Sequence, residues 1–136
     1  MNKILVDSGP LIALFDSSDK YHKLALNFIK SNKKPLITTI ASITETLHML
    51  DFNQNAQIDF IKWIGLDAVE IYNIENGDFP RICQLTKKYH DLPMDFADAC
   101  LVLLAEKLKI DKIATIDRDF SIYRIDGKKR FSIVLS

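Results

Sequence analysis

The apolar positions of this chain fall into short runs separated by stretches with helical spacing. The first run, residues 3–6 (Lys-Ile-Leu-Val), stops at an acid, Asp7, followed by Ser8, Gly9 and Pro10. A run of that length predicts a buried strand, and "PLIALFD" after it predicts a short helix that Pro10 starts. Asp19 then caps a second helix over 20–31, with Leu24, Leu26, Phe28 and Ile29 as its apolar stripe. Residues 34–39 read as a second strand. Ile43, Leu47 and Leu50 recur at helical spacing in the segment 41–51, and 56–65 gives another helix with Gly65 as its stop. Residues 68–74 alternate and are rich in β-branched and aromatic side chains, which predicts a third strand. A helix over 78–90 admits Pro80 in its first turn. The loop 90–94 leads into the strongest helix of the chain, 95–110, and strands follow over 111–117 and 130–136. Strands alternating with helices in this way predict an α/β fold, a parallel sheet with helices on both faces.

Length and composition narrow the picture. The chain has 136 residues, enough for one domain, 1–136, with a real core. Hydrophobic residues make up 48% and charged ones 26%, the proportions of an ordinary globular domain. Lys plus Arg equals Asp plus Glu at 18 each, so net charge gives no argument for a nucleic-acid partner, and a local basic face would be needed. Cys83 and Cys100 show no metal-ligand spacing and sit in apolar helical patterns, which predicts buried free thiols in a reducing compartment. No run approaches the ~20 apolar residues of a membrane span, and Asp7 interrupts the one apolar run where a signal peptide would lie. A cytoplasmic protein without a membrane partner is expected.

The acids carry the chemistry. Asp7 ends the first strand and Asp117 ends the fourth in the same way, while Glu45 lies in the first turns of the helix after strand two. Asp95 and Asp98, three apart, share one face at the start of the long helix. In a parallel sheet the strand C-termini and the N-termini of the following helices share one edge, the edge where ligands bind. Spacing alone leaves open whether Asp98, whose helix leads into a strand, reaches that edge. Each acid also has a structural explanation: Asp7 and Asp117 as turn openers, Asp95 as an N-cap, Glu45 and Asp98 as partners of the helix dipole. Their convergence would be costly, on the order of 3 kcal/mol per pair about 5 Å apart at an effective dielectric near 20. A cation would have to occupy such a site, and ligation by oxygen alone points to Mg²⁺ or Mn²⁺.

Together "ILVDSGPLIALFD", "SITETLHML", "DFADACLVLLAEKLKI" and "IATIDRDFSIYR" resemble the PIN domain, in particular the VapC-type toxins of toxin–antitoxin pairs. The resemblance covers nearly the whole chain. It implies a three-layer fold with a five-stranded parallel sheet flanked by helices, and a Mg²⁺- or Mn²⁺-dependent endoribonuclease. The acids that match the pattern are Asp7, Glu45, Asp98 and Asp117, with Asp7, Asp98 and Asp117 as metal ligands. Ser8 follows the first acid as a supporting group, Thr115 orients Asp117, and Asp95 is an accessory acid. Such a site permits metal-assisted phosphodiester hydrolysis, with Glu45 positioning or deprotonating the water. Implied partners are an RNA substrate, a second copy in a homodimer and a small antitoxin protein.

Among the basic residues, Arg118 and Arg124 flank the expected edge and are the expected phosphate contacts. His22 reads as a packed or capping residue, and neither His48 nor His90 pairs with it. Phe60, Ile61, Trp63 and Ile64 leave one helix apolar around much of its circumference, which suits either core or an antitoxin or dimer surface. Dehalogenase-type phosphatases need Asp-x-Asp, and position 9 is Gly; receiver domains need an Asp after the third strand, where Asn73 and Glu75 stand. The alternatives that stay open are a non-catalytic RNA- or protein-binding module of the same fold, and an RNA-processing nuclease without a toxin role.

Overall fold

The computed structural model describes residues 2–135. In chain order the elements are β1 (Ile4–Val6), α1 (Ser8–Phe15), α2 (His22–Ser31), β2 (Leu36–Thr39), α3 (Ile40–Met49) and α4 (Gln54–Gly65). Then come β3 (Glu70–Tyr72), α5 (Phe79–Lys88), α6 (Phe96–Leu108), β4 (Lys112–Ala114), β5 (Arg124–Ile125), β6 (Lys129–Arg130) and β7 (Ser132–Ile133). The five-stranded sheet has the order β3-β2-β1-β4-β7, and every pairing in it is parallel. The three-layer α/β architecture expected from the sequence is the one observed.

β1 is central and buried along its whole length, which an unbroken aliphatic run allows. Its pleat divides the core in two. Leu5, with Ile37 and Ile113 from its neighbours, packs against Leu85 of α5 and Leu101 and Leu104 of α6. Ile4 and Val6, with Leu36 and Ala114, face Leu11 of α1, Leu50 at the end of α3 and Phe60 of α4. Phe60 and Trp63 close that second core around Phe15, with ring centroids 5.4 Å from it. The core reading of α4 therefore holds for Phe60, Trp63 and Ile64, whereas Ile61 is 54% exposed and Ile58 41%.

Several element ends differ from the sequence-based expectation, each for a local reason. α1 begins at Ser8, two residues before Pro10, because the Asp7 side chain caps it. Asp19 does not cap α2. Its carboxylate accepts the Tyr21 N–H (2.8 Å) and its carbonyl the His22 N–H (3.0 Å), so a turn is spent before the helix begins at His22. His22 itself bonds the Ala13 carbonyl through Nδ1 at 2.8 Å, joining α2 to α1. α6 ends at Leu108 because Lys109 adopts a left-handed conformation (φ 58°), and the Ile110 N–H reaches back to Ala105. The β5–β6 hairpin was not expected; Asp126 and Gly127 make its turn with φ of 53° and 70°. The predicted fifth strand shortens to β7, and its last residue, Ser136, lies outside the described residues. Cys100 is buried as expected but Cys83 is exposed, and both are free thiols. No helix of the described residues is long and apolar enough to cross a membrane.

Leu5→Ala removes a fully buried side chain from the central strand, and urea denaturation should show a loss of ~2–5 kcal/mol.

Candidate active site

The pleat that divides the core also aims the acids. Asp7 has the parity of Leu5, and the β1–β4 register (Leu5 opposite Ile113, Val6 opposite Ala114) sets Thr115 beside it. The Thr115 hydroxyl donates to Asp7 Oδ2 at 2.8 Å, and the Ser8 N–H donates to Asp7 Oδ1 at 2.8 Å. The Asp117 N–H donates to the Thr115 oxygen at 3.0 Å. The Thr115 hydroxyl therefore holds the Asp7 carboxylate directly and Asp117 through its backbone N–H. Asp117 Oδ1 in turn accepts the Asp119 N–H at 2.9 Å and opens a short 3₁₀ turn, Arg118–Ser121.

Asp98 reaches the same edge. α6 passes into β4 through residues 109–111 alone, so the helix runs opposite to the strand and its N-terminus lies at the strands' carboxyl ends. Asp95 caps it by accepting the Asp98 N–H at 2.8 Å, and stays exposed at the rim. Asp7, Asp98 and Asp117 each bring one carboxylate oxygen to within 4.8 Å of the others. Glu45 is outside this triad. It stands one residue behind it, accepting a hydrogen bond from the Ser8 hydroxyl. The four-acid cluster is thus a triad with a tethered fourth member.

Among the described residues no Lys, Arg or His pairs with the triad. Asp7 is raised to about 6, chiefly by burial, with Asp117 and Glu45 adding repulsion against the hydrogen bonds from Thr115 and Ser8. Asp98 is raised to about 8 by burial first and then by the Asp7 and Asp95 charges. Three oxygen donors without a counter-charge match the ligand chemistry of a hard divalent cation. Thr39 Oγ1 and Ser42 Oγ, at the carboxyl end of β2 and in the first turn of α3, are buried without a partner. The residues present fit a divalent metal centre.

Two features here were not read from the sequence. Tyr123, fully buried, donates its hydroxyl to Asp98 Oδ2 at 2.9 Å. The sequence around it, Asp-Phe-Ser-Ile-Tyr-Arg-Ile-Asp, mixes polar and apolar residues; the signal available is that a tyrosine buried by the fold needs a partner for its hydroxyl. The second is a groove of about 850 Å³ beside Glu45 and Asp95, walled by Ile40, Ile74, Phe79 and Phe96. Phe79 and Phe96 stack at 5.9 Å and are each 47% exposed. Of the two arginines, Arg118 is exposed next to Asp117. Arg124 directs Nη1 at the carbonyls of Ser121, Ile122 and Tyr123 (2.7–3.1 Å) and thereby secures the turn.

Asp7 and Asp98 hold their protons more tightly folded than unfolded, so the folded chain binds the extra protons between the ordinary carboxylate range and pH 8. Stability from these groups is full at low pH and is lost as pH rises through about 6 and then about 8. In EDTA the melting temperature should fall between pH 5 and 9, and Asp98→Asn should flatten the fall and melt above wild type at pH 9. If Asp98 were only a dipole partner, Asn would instead cost a few tenths to ~1 kcal/mol at every pH. Mg²⁺ at ~100 times its Kd should add ~2.7 kcal/mol to wild type and less to the variant.

The PIN-domain family model matches residues 4–127. Ribonuclease VapC26 of Mycobacterium tuberculosis is 25% identical over 134 residues, covering 96% of this chain and 99% of that protein. The crystal structure of VapC20 from Mycobacterium tuberculosis, a sarcin–ricin-loop-cleaving toxin, superposes with a TM-score of 0.79 at 21% identity, over 88% of this chain and 93% of that one. A toxin–antitoxin complex from Klebsiella pneumoniae gives a TM-score of 0.65 at 19% identity, over 87% and 90%. The sheet order, the acid triad at the strands' carboxyl edge and the match over residues 4–127 agree: the chain belongs to the PIN-domain family.

Proposed function

We propose that this protein is a Mg²⁺- or Mn²⁺-dependent endoribonuclease, the toxin of a toxin–antitoxin pair acting in the cytoplasm. The observation that carries the reading is the unpaired triad of Asp7, Asp98 and Asp117 within a fold matched by the PIN-domain model. The similar ribonuclease VapC26 and the similar toxin–antitoxin complex support the substrate class and the partner.

In this reading Asp7, Asp98 and Asp117 hold the cation. Such an ion supplies positive charge against the scissile phosphate and makes water a stronger acid. Asp7 needs no rearrangement to serve, because the Thr115 hydroxyl and the Ser8 N–H already fix both of its oxygens. Glu45, with Oε1 held by Ser8, keeps Oε2 to orient the attacking water and take its proton. Asp95 fixes the first turn of α6 and adds negative charge at the rim. Arg118 is the exposed cation nearest Asp117 in the chain and meets the RNA phosphate. Arg124 contributes by holding the turn, with Nη1 already committed to it.

Purified protein with Mg²⁺ or Mn²⁺ should cut RNA internally, and EDTA should stop the reaction. Asp7→Asn and Asp98→Asn should each lose nearly all activity. A variant that stays fully active in a preparation free of contaminating nuclease would show the site to be elsewhere, and wild type that binds RNA without cutting it would make the chain a binding module. Met49, Phe52, Ile58, Ile61 and Leu66 expose apolar surface at the end of α3 and along α4, more than isolated surface residues need. We assign that surface to assembly, so light scattering at micromolar concentration should give a homodimer of the 15.6 kDa chain.

A further inference from the structure

Tyr123 is a buried polar group whose whole environment serves to place one atom. Its ring meets Phe120 edge-on at 5.0 Å and 87°, and Tyr89 at 5.0 Å and 69°. The Phe120 ring is braced by Phe131 at 5.4 Å. The backbone is held equally firmly: the Tyr123 N–H donates to the Asp119 carbonyl, the Arg124 N–H to the Tyr89 hydroxyl at 3.0 Å, and Arg124 Nη1 to the Tyr123 carbonyl at 3.1 Å. What remains is the hydroxyl, which donates to Asp98 Oδ2 at 2.9 Å. A carboxylate can rotate about its Cβ–Cγ bond, and one hydrogen bond from a rigid donor fixes that rotation. Asp98 Oδ1 then has no donor among the described residues. A tyrosine fixes a carboxylate without neutralising it, whereas a lysine or arginine in its place would cancel the charge that a cation needs.

We infer that Tyr123 is a positioning residue of the metal centre, holding Oδ2 of Asp98 so that the carboxylate offers the cation its other oxygen. This rests on the metal-centre reading proposed above. The segment 117–123 then serves two of the three acids: it begins by supplying Asp117 and ends by orienting Asp98. The alternative is that the bond merely satisfies two polar groups in the core.

Mn²⁺ binding to the purified full chain separates the two. Tyr123→Phe keeps the ring contacts and deletes only the hydroxyl. It should raise the Kd for Mn²⁺ by about tenfold or more, the usual effect of removing a group that orients a ligand. The Mn²⁺ midpoint of cleavage should move by the same factor while the rate at saturation recovers. Thr86→Val, which deletes a hydroxyl of α5 that bonds only the Ile82 carbonyl, should bind Mn²⁺ like wild type. In an Asp98→Asn background the Tyr123 change should add nothing. A Tyr123→Phe protein with wild-type Kd, or one weakened equally in the Asp98→Asn background, overturns the assignment. A wild type that binds no Mn²⁺ overturns the metal-centre reading, and this assignment with it. Should Tyr123→Phe not fold, 3-fluorotyrosine-labelled wild type gives the answer: the Tyr123 ¹⁹F resonance should move on titration with Mg²⁺, and a resonance that stays fixed to saturation overturns the assignment.

Discussion

Like-charge repulsion among Asp7, Asp98 and Asp117 is the constraint on which the rest of the structure depends. The triad has no basic partner among the described residues, and burial makes the repulsion worse by removing the water that would screen it. A small domain has only ~5–15 kcal/mol of net stability. The chain meets the cost by placing the acids on elements that packing already fixes. Asp7 is the residue after a strand buried along its whole length. Asp98 is in the first turn of a helix with nine buried residues, and Asp117 is held to β4 through Thr115. Neither Asp7 nor Asp98 can relax away from the others without opening a core.

The basic residues show the opposite arrangement. Lys107 pairs with buried Asp78, and Arg81 with Glu106, joining the α5 end of the sheet layer to α6. Both acids are held below the ordinary carboxylate range; for Asp78 the Glu75 N–H is the largest cause, ahead of Lys107. For Glu106 the lowering bonds from Arg81 and the Asp126 N–H outweigh its burial. The same side-chain type therefore does two jobs in one fold. Where a carboxylate has a cationic partner it ties helices together; where it has none it is left with charge to offer a ligand.

Much of this was legible in the sequence because the hydrophobic pattern reports the pleat and the helix faces. The runs at 3–6, 34–39 and 111–117 located the three strands at the centre of the sheet, and the acids after β1 and β4 located the edge. What was not legible depends on contacts between distant residues. Asp98 was ambiguous because its place follows from the direction of α6, fixed by the short passage at 109–111. Glu45 was grouped with the triad because spacing cannot show that Ser8 stands between it and Asp7. Tyr123 has no local signal, because its role depends on Asp98, 25 residues away in the chain. The β5–β6 hairpin did have a local signal, the Asp126–Gly127 pair that favours this turn, but two-residue strands are too short to show alternation.

The balanced composition acquires meaning only at this level. A chain with equal numbers of acids and bases offers no net charge to attract RNA, and in the proposed reading the scissile phosphate lies beside the acids Asp7, Asp98 and Asp117. In that reading phosphate and ionised triad would repel each other, and a cation held by Asp7, Asp98 and Asp117 would offset the repulsion and so favour the substrate as well. By linkage the substrate then strengthens the hold of the ion in equal measure. In the same reading a hydroxyl that sets the direction of one carboxylate, as inferred for Tyr123 at Asp98, would act on RNA binding as well as on metal binding, although it is buried.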